Sequence, residues 1–196
     1  VDINSDGFLD IYVSNSGDIS GDNKQNELFI NNGDLTFTEK AKDFGLDDRG
    51  YSTHAAFFDY DKDGDLDCYL LNNSYKGGFR ITSIGKDQRP VRDEVGGDKL
   101  FLNDNGKFID VSEKAGIYGS VIGFGLGVTV GDANNDGWMD IYVSNDFFER
   151  DYLYLNNRDG TFSESLEEMV KSISAASMGA DMADINNDGF AEIFVT

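Results

Sequence analysis

A nine-residue pattern occurs four times in this chain, and nothing else in the sequence constrains the fold as tightly. The copies are Asp2-Ile-Asn4-Ser-Asp6-Gly7-Phe8-Leu-Asp10, Asp59-Tyr-Asp61-Lys-Asp63-Gly64-Asp65-Leu-Asp67, Asp132-Ala-Asn134-Asn-Asp136-Gly137-Trp138-Met-Asp140 and Asp184-Ile-Asn186-Asn-Asp188-Gly189-Phe190-Ala-Glu192. Each places oxygen-bearing side chains at positions 1, 3, 5 and 9 and glycine at position 6. A single cluster of Asp, Asn and Gly would read as an ordinary turn. Four clusters with one spacing read as a repeated site.

The chemistry of that site is the chemistry of calcium. Ca2+ takes six to eight oxygen ligands at about 2.3–2.6 Å. Alternate residues at positions 1, 3 and 5 let a curled loop aim three side chains at one point, and glycine at 6 supplies the positive φ of the turn. The residues at position 7, namely Phe8, Asp65, Trp138 and Phe190, are expected to ligate through their backbone carbonyls. The acid at position 9 closes the shell. The EF-hand shares the start of this pattern but needs Glu at position 12 and flanking helices. Position 12 here is Val13, Leu70, Val143 or Val195, none of which can ligate. The second loop, with Asp59, Asp61, Asp63 and Asp67, is expected to bind tightest. The fourth, ending in the longer Glu192, is expected to bind least well.

Each loop runs into a β-branched or aromatic segment such as Ile-Tyr-Val-Ser-Asn, which reads as a strand. A second repeat lies between the loops: Glu27–Phe37, Lys99–Phe108 and Tyr152–Phe162, each an apolar strand, an Asn/Gly/Asp turn and a Phe that opens another strand. Short strands of small residues, Thr53–Phe58, Leu126–Gly131 and Gly179–Ala183, precede the later loops. One unit is therefore strand, calcium loop, strand, connection, hairpin, or four antiparallel strands in about 50 residues, which is the size of a propeller blade. After the loops, Ile11/Val13, Cys68/Leu70, Ile141/Val143 and Ile193/Val195 share one face, and Tyr12, Tyr69, Tyr142 and Phe194 share the other. Both faces are apolar, so each small sheet needs cover on both sides, as stacked blades provide. The expected fold is all-β, with about three blades' worth of strands in one partial propeller over residues 1–196. The divisions are a partial blade at 1–50, blades at 51–117 and 118–176, and a partial blade at 177–196. The chain starts inside one repeat and stops inside another, so it reads as a segment whose remaining blades lie elsewhere. Ser165–Ser174 is expected to make two turns of packing helix, with Leu166, Met169, Val170 and Ile173 on one face.

With 37 acidic against 16 basic residues and a net charge of −21, the chain is a poor partner for nucleic acid or an anionic membrane. Up to four Ca2+ would offset part of that charge. At 39% hydrophobic it is too apolar for a disordered acidic tail, and no apolar run is long enough to span a bilayer. The lone Cys68 excludes an intrachain disulfide. Structural sites of this kind suit the millimolar calcium outside cells, so an extracellular or cell-surface location is expected.

The Asp-x-Asn-x-Asp-Gly-x-x-Asp-Ile-Tyr-Val motif, with the Asn-Asn-x-Asp-Gly-Thr-Phe hairpin, resembles the FG-GAP/VCBS repeats of integrin-α-type propellers. Gly97-Asp98-Lys99-Leu100-Phe101, Ser144-Asn145-Asp146-Phe147 and Ser177-Met178-Gly179-Ala180-Asp181 are similar to the cartilage acidic protein and ASPIC/UnbV-type group of exported proteins. The resemblance implies a β-propeller of about seven blades, loop-bound calcium, export or surface display, and a role in adhesion or binding to a protein or glycan.

Signs of catalysis are few. His54 is the only histidine and reads as a packing residue. Cys68 aligns with core isoleucines, and no serine sits in a nucleophile elbow. Asp146, Glu149, Asp151 and Asp181 leave room for a lyase or glycosidase pair, and the exposed Phe147 and Phe148 for a lectin, as alternatives to a non-catalytic scaffold. The most individual segment is the long connection 73–98, with Lys76, Arg80, Lys86, Arg89, Arg92 and the only proline, Pro90. Long loops on rigid scaffolds often bind. Arg80, Arg89 and Arg92 are therefore expected to meet an acidic ligand or the acidic edge of a neighbouring blade.

Overall fold

The computed structural model describes residues 1–17, 24–75 and 88–196. It contains four antiparallel sheets. The first holds β1 (Ile11–Val13), β2 (Glu27–Asn31) and β3 (Phe37–Glu39), in that order. The second holds β4 (Ser52–Phe58), β5 (Asp67–Asn72), β6 (Lys99–Asn103) and β7 (Phe108–Asp110). The third holds β8 (Gly125–Gly131), β9 (Asp140–Asn145), β10 (Tyr152–Asn156) and β11 (Phe162–Glu164). The fourth pairs β12 (Ala180–Ala183) with β13 (Glu192–Val195). Neighbours in sequence are neighbours in each sheet, so every blade is an up-and-down meander. Each of the last three nine-residue loops joins the first strand of a sheet to its second, and the first loop leads into β1.

The alternating faces decide how the blades stack. On β5, Tyr69 and Leu71 pack with Ile141, Val143, Tyr152 and Tyr154 of the third sheet. Cys68 and Leu70 face the other way and pack with Ile3, Leu28 and Leu46 of the first blade. The third sheet repeats this, with Tyr142 and Leu153 turned toward Ile193 and Val195 of the fourth. All six residues of β5 and all six of β9 are buried. Each large apolar side chain so buried contributes about 1.5–3 kcal/mol, and the burial exists only because a sheet lies on either side.

The first strands of the blades approach one another closely. A Cβ on Gly127 would stand 3.0 Å from the Gly179 Cα, and one on Gly125 would stand 2.3 Å from the Leu71 Cδ1. Small residues here are a steric requirement. Between them run cross-blade hydrogen bonds: Thr53 Oγ1 donates to the Gly125 carbonyl at 2.8 Å, Thr129 Oγ1 to that of Ala180 at 2.6 Å, and the Val128 N–H to His54 Nδ1 at 3.3 Å. His54 is thus exposed but engaged in a blade joint.

Among the described residues α-helix is limited to single turns after the first three sheets, α1 (Ala41–Phe44), α2 (Ser112–Ala115) and α3 (Leu166–Met169). The two-turn helix expected over Ser165–Ser174 stops after Met169, and Val170 is already extended at φ −118° and ψ 125°. Leu166 is buried, but Met169 and Ile173 are about half exposed at 50% and 47%. Leu166 and Val170 pack with Tyr142 and Leu153, but with Met169 and Ile173 half exposed the Ser-rich run has little to hold further helical turns. Among the described residues no helix is long and apolar enough to cross a membrane.

Candidate metal loops and blade joints

The four loops share one backbone. Position 4 is left-handed in each, at Ser5, Lys62, Asn135 and Asn187 (φ 56–64°), and so is the glycine at position 6, at Gly7, Gly64, Gly137 and Gly189 (φ 84–98°). These left-handed residues curl the chain so that its N–H groups point inward at its own carboxylates. In the third loop the Gly137 N–H donates to Asp132 Oδ2 at 2.7 Å, the Asp136 N–H to Asp132 Oδ1 at 2.9 Å and to Asn134 Oδ1 at 3.0 Å, and the Trp138 N–H to Asp136 Oδ1 at 2.8 Å. The first loop repeats this through Asp2, Asn4 and Asp6, and the fourth repeats the bonds to Asp184 and Asp188.

The position-9 acids play a different part. Asp10, Asp67 and Asp140 are buried. One oxygen of each accepts the N–H of loop position 2: Ile3 to Asp10 at 3.0 Å, Tyr60 to Asp67 at 3.1 Å, Ala133 to Asp140 at 2.9 Å. The other accepts an N–H from the third strand of the blade: Asn31 to Asp10 at 2.8 Å, Asn103 to Asp67 at 2.9 Å, Asn156 to Asp140 at 2.8 Å. The same asparagines return a side-chain bond to position 8, on Leu9, Leu66 and Met139. Each oxygen keeps a second acceptor direction, so this anchoring leaves room for a cation. In the fourth loop Glu192 accepts the Ile185 N–H at 3.0 Å and the Asn186 amide at 2.7 Å.

The loops differ in how far they satisfy themselves. In the first, the Asn4 amide bonds Asp6 at 2.9 Å. In the third, the Arg158 guanidinium lies 2.8 Å from Asp136 and holds that carboxyl below its usual value. The second loop has Asp at position 3 and no internal amide. There Asp59, Asp61 and Asp67 bring carboxylate oxygens within 4.8 Å of one another. Asp63 accepts the Asp65 N–H at 3.0 Å. The Asp59 Oδ1 is buried without a hydrogen-bond partner. Burial, reinforced by the neighbouring carboxylates, raises Asp61 and Asp65, and burial pushes Asp67 up to about 7. This donor set fits a hard divalent cation, which would supply the positive charge that the loop's own donors do not.

A second repeated device closes the opposite end of each of the first three blades. Asp98, just before β6, accepts the Tyr69 hydroxyl at 3.0 Å and the Asn72 N–H at 2.9 Å. Asp151, just before β10, accepts the Tyr142 hydroxyl at 2.6 Å, the Asn145 N–H at 2.8 Å and the Ser177 hydroxyl of the next blade at 2.7 Å. Asn26 fills this place in the first blade, accepting the Asn15 N–H at 2.7 Å and donating to the Tyr12 hydroxyl at 3.0 Å and to Ser52 at 2.8 Å. Sequence reading missed this clamp. Its signal was present in the Tyr and Asn that recur in the second strands, but their partners stand after connections of unequal length.

Where the cationic segment is described, one of its arginines crosses to the next blade and another stays within its own. Arg89 Nε lies 2.7 Å from Glu149 of the third blade, whose side chain is fully buried. Arg92 donates to the carbonyls of Ile117 at 3.0 Å and Asp98 at 2.9 Å. Arg80, Lys76 and Lys86 lie outside the described residues.

The FG-GAP-like repeat model matches residues 2–70, 91–143 and 132–195. This chain belongs to the FG-GAP-like repeat family. The outer matches begin in one nine-residue loop and end on the strand after the next, so the family's sequence repeat is offset from the blade by one strand. A stretch of 99 residues is also 31% identical to integrin alpha-3 of Mus musculus, and the same figures hold for integrin alpha-3 of Cricetulus griseus. It covers 44% of this chain but only 9% of each integrin. The FG-GAP repeats here thus correspond to a small part of those relatives.

Proposed function

We propose that this chain is a calcium-stabilised propeller segment of an exported or cell-surface protein. It binds up to four Ca2+ through the loop residues named above and presents a surface to a protein or glycan without catalysis of its own. The observation that carries the reading is the Asp59 Oδ1, buried and unpartnered in a loop where three carboxylates converge. An uncompensated buried carboxylate oxygen is costly, and a bound cation removes the cost. Likeness to integrin alpha-3 supports adhesion and surface location. The signatures at 97–101, 144–147 and 177–181 favour the cartilage acidic protein and ASPIC/UnbV-type group within the family, and we divide the blades at residues 50, 117 and 176.

Two of the acids that could serve a lyase or glycosidase have other work, which supports the non-catalytic reading. Asp151 holds a tyrosine, a backbone N–H and a serine, and Glu149 pairs with Arg89. The test is thermal unfolding. Addition of Ca2+ to EDTA-treated protein is expected to raise Tm by mass action, and Mg2+, which demands tight octahedral geometry, to raise it less. A Tm indifferent to both would overturn the reading.

A further inference from the structure

The first and third loops are a matched pair. Their oxygen-bearing side chains are the same in kind and order, Asp2, Asn4, Asp6 and Asp10 against Asp132, Asn134, Asp136 and Asp140. Their backbones carry the same bonds. The position-6 N–H donates to the position-1 carboxylate, at 2.9 Å from Gly7 and 2.7 Å from Gly137. The position-7 N–H donates to Oδ1 of the position-5 carboxylate, at 2.8 Å from both Phe8 and Trp138. The loops part at the other oxygen of position 5. Asp6 Oδ2 receives the neutral amide of Asn4 at 2.9 Å. Asp136 Oδ2 receives the charged guanidinium of Arg158 at 2.8 Å.

Arg158 stands where the first two blades have glycine. The residue whose N–H donates to the asparagine closing the third strand is Gly33 on Asn31, Gly106 on Asn103 and Arg158 on Asn156. All three are left-handed, with φ 78°, 83° and 66°. Glycine adopts that backbone freely, and a residue with a Cβ does so at a cost. Strain of this kind persists where the surroundings impose it, and it gathers at ligand sites. The Arg158 side chain is 55% exposed. It borders a cavity of about 300 Å3 that Tyr60, Lys114, Trp138 and Asp159 also line, so the guanidinium has room to leave Asp136.

We propose that Arg158 is a tethered counter-cation of the third loop: it neutralises Asp136 in the metal-free chain, competes with calcium for that carboxylate and so holds the affinity of this site down. A divalent ion among these four side chains would lie close to the guanidinium charge, so binding must displace the arginine or bear its repulsion. The inference rests on the calcium reading above.

The test is a calcium titration of EDTA-treated protein, read by fluorescence and by calorimetry. Trp138, the only tryptophan, stands in the third loop, and the binding event that Asp132→Ala abolishes is the one that belongs to this loop. Arg158→Gln and Arg158→Gly are expected to bind calcium there about threefold to tenfold more tightly than wild type. Arg158→Lys, which keeps the charge, should stay within about twofold of wild type. Unchanged or weaker binding in Arg158→Gln and Arg158→Gly would make Arg158 a bystander or a structural strut, which overturns the proposal and leaves the calcium reading intact. Arg158→Lys binding as tightly as Arg158→Gln would also overturn it, because charge would not be the cause. A wild-type chain that binds no calcium would overturn both.

Discussion

The Asp67 carboxylate accepts the backbone N–H of Asn103 at 2.9 Å, across the whole of the long connection between β5 and β6. The same bond joins Asp10 to Asn31 and Asp140 to Asn156, each at 2.8 Å. Loop and hairpin stand apart in the sequence as two unrelated repeats, yet they are halves of one unit. The position-9 acid fastens the loop to the third strand of its blade through the protein's own hydrogen bonds, and the asparagine fixes the turn beyond it.

The asparagine side chains are expected to be costly to remove. Asn103→Ala strips the Leu66 carbonyl and the Gly106 N–H of their partners. Asn156→Ala does the same to Met139 and Arg158 and also frees the Tyr60 carbonyl of the preceding blade, bonded at 2.8 Å. Each loss should destabilise by about 1–3 kcal/mol, the larger effect at Asn156, because buried polar groups lose their partners. Urea unfolding in EDTA measures this without contribution from calcium.

Asp98 predicts a pH dependence. Its burial raises its pKa from 3.8 to about 7 against the bonds from Asn72 and Tyr69 and the charge of Arg92. The folded state therefore holds this proton more tightly than the unfolded state. The resulting stability is fully present below pH 3.8 and is lost as pH rises toward 7. Asp98→Asn, which places at this clamp the residue type of Asn26 in the first blade, should flatten this contribution. The Tm difference, variant minus wild type, should grow from pH 5 to pH 8. A difference that does not change with pH would contradict the assignment.

The Arg89–Glu149 pair should behave as a buried joint between the second and third blades. The Glu149 Oε2 already lacks a partner, so Arg89→Met leaves the carboxylate without a hydrogen bond and should cost about 3 kcal/mol or more. Glu149→Gln should cost less, and the double variant less than the sum of the two. A denaturation double-mutant cycle reads the coupling, and additivity would show that the pair does not couple the blades.

Gly97→Ala should destabilise by about 1–3 kcal/mol through overpacking. An added Cβ would stand 2.0 Å from the Gly119 carbonyl oxygen, a backbone atom that cannot turn aside. Gly106→Ala, at a hairpin turn where a Cβ meets nothing within 4 Å, suffers only from its left-handed φ of 83°. Chemical denaturation of the two separates steric contact from backbone strain.

Local residue order determined a great deal about this protein. The loop pattern, the hairpin pattern and the two apolar faces of the second strands are short-range periodicities, and they established meandering blades, the loop positions and the need for a neighbour on each face. Two of the single-turn helices, α1 and α2, escaped because four residues carry no period, and the third was expected a turn too long. The ends of α1 and α2 show what replaces it: a Cβ on Gly45 would stand 2.7 Å from the Phe108 carbonyl oxygen and one on Gly116 2.8 Å from that of Phe162, both in the next blade, so only glycine fits there. Tertiary structure decided everything that depends on partners brought together by stacking. It set Tyr69, Asn72 and Asp98 in one clamp, turned Arg89 onto Glu149, gave Arg158 to Asp136 and left Asp59 and Asp65 each with an unanswered oxygen. All four loops share one ligand spacing, and their residues already mark the second as the most acidic. Which of them has a positive neighbour, as Asp136 has Arg158, only packing fixes, because charges act through space and not along the chain.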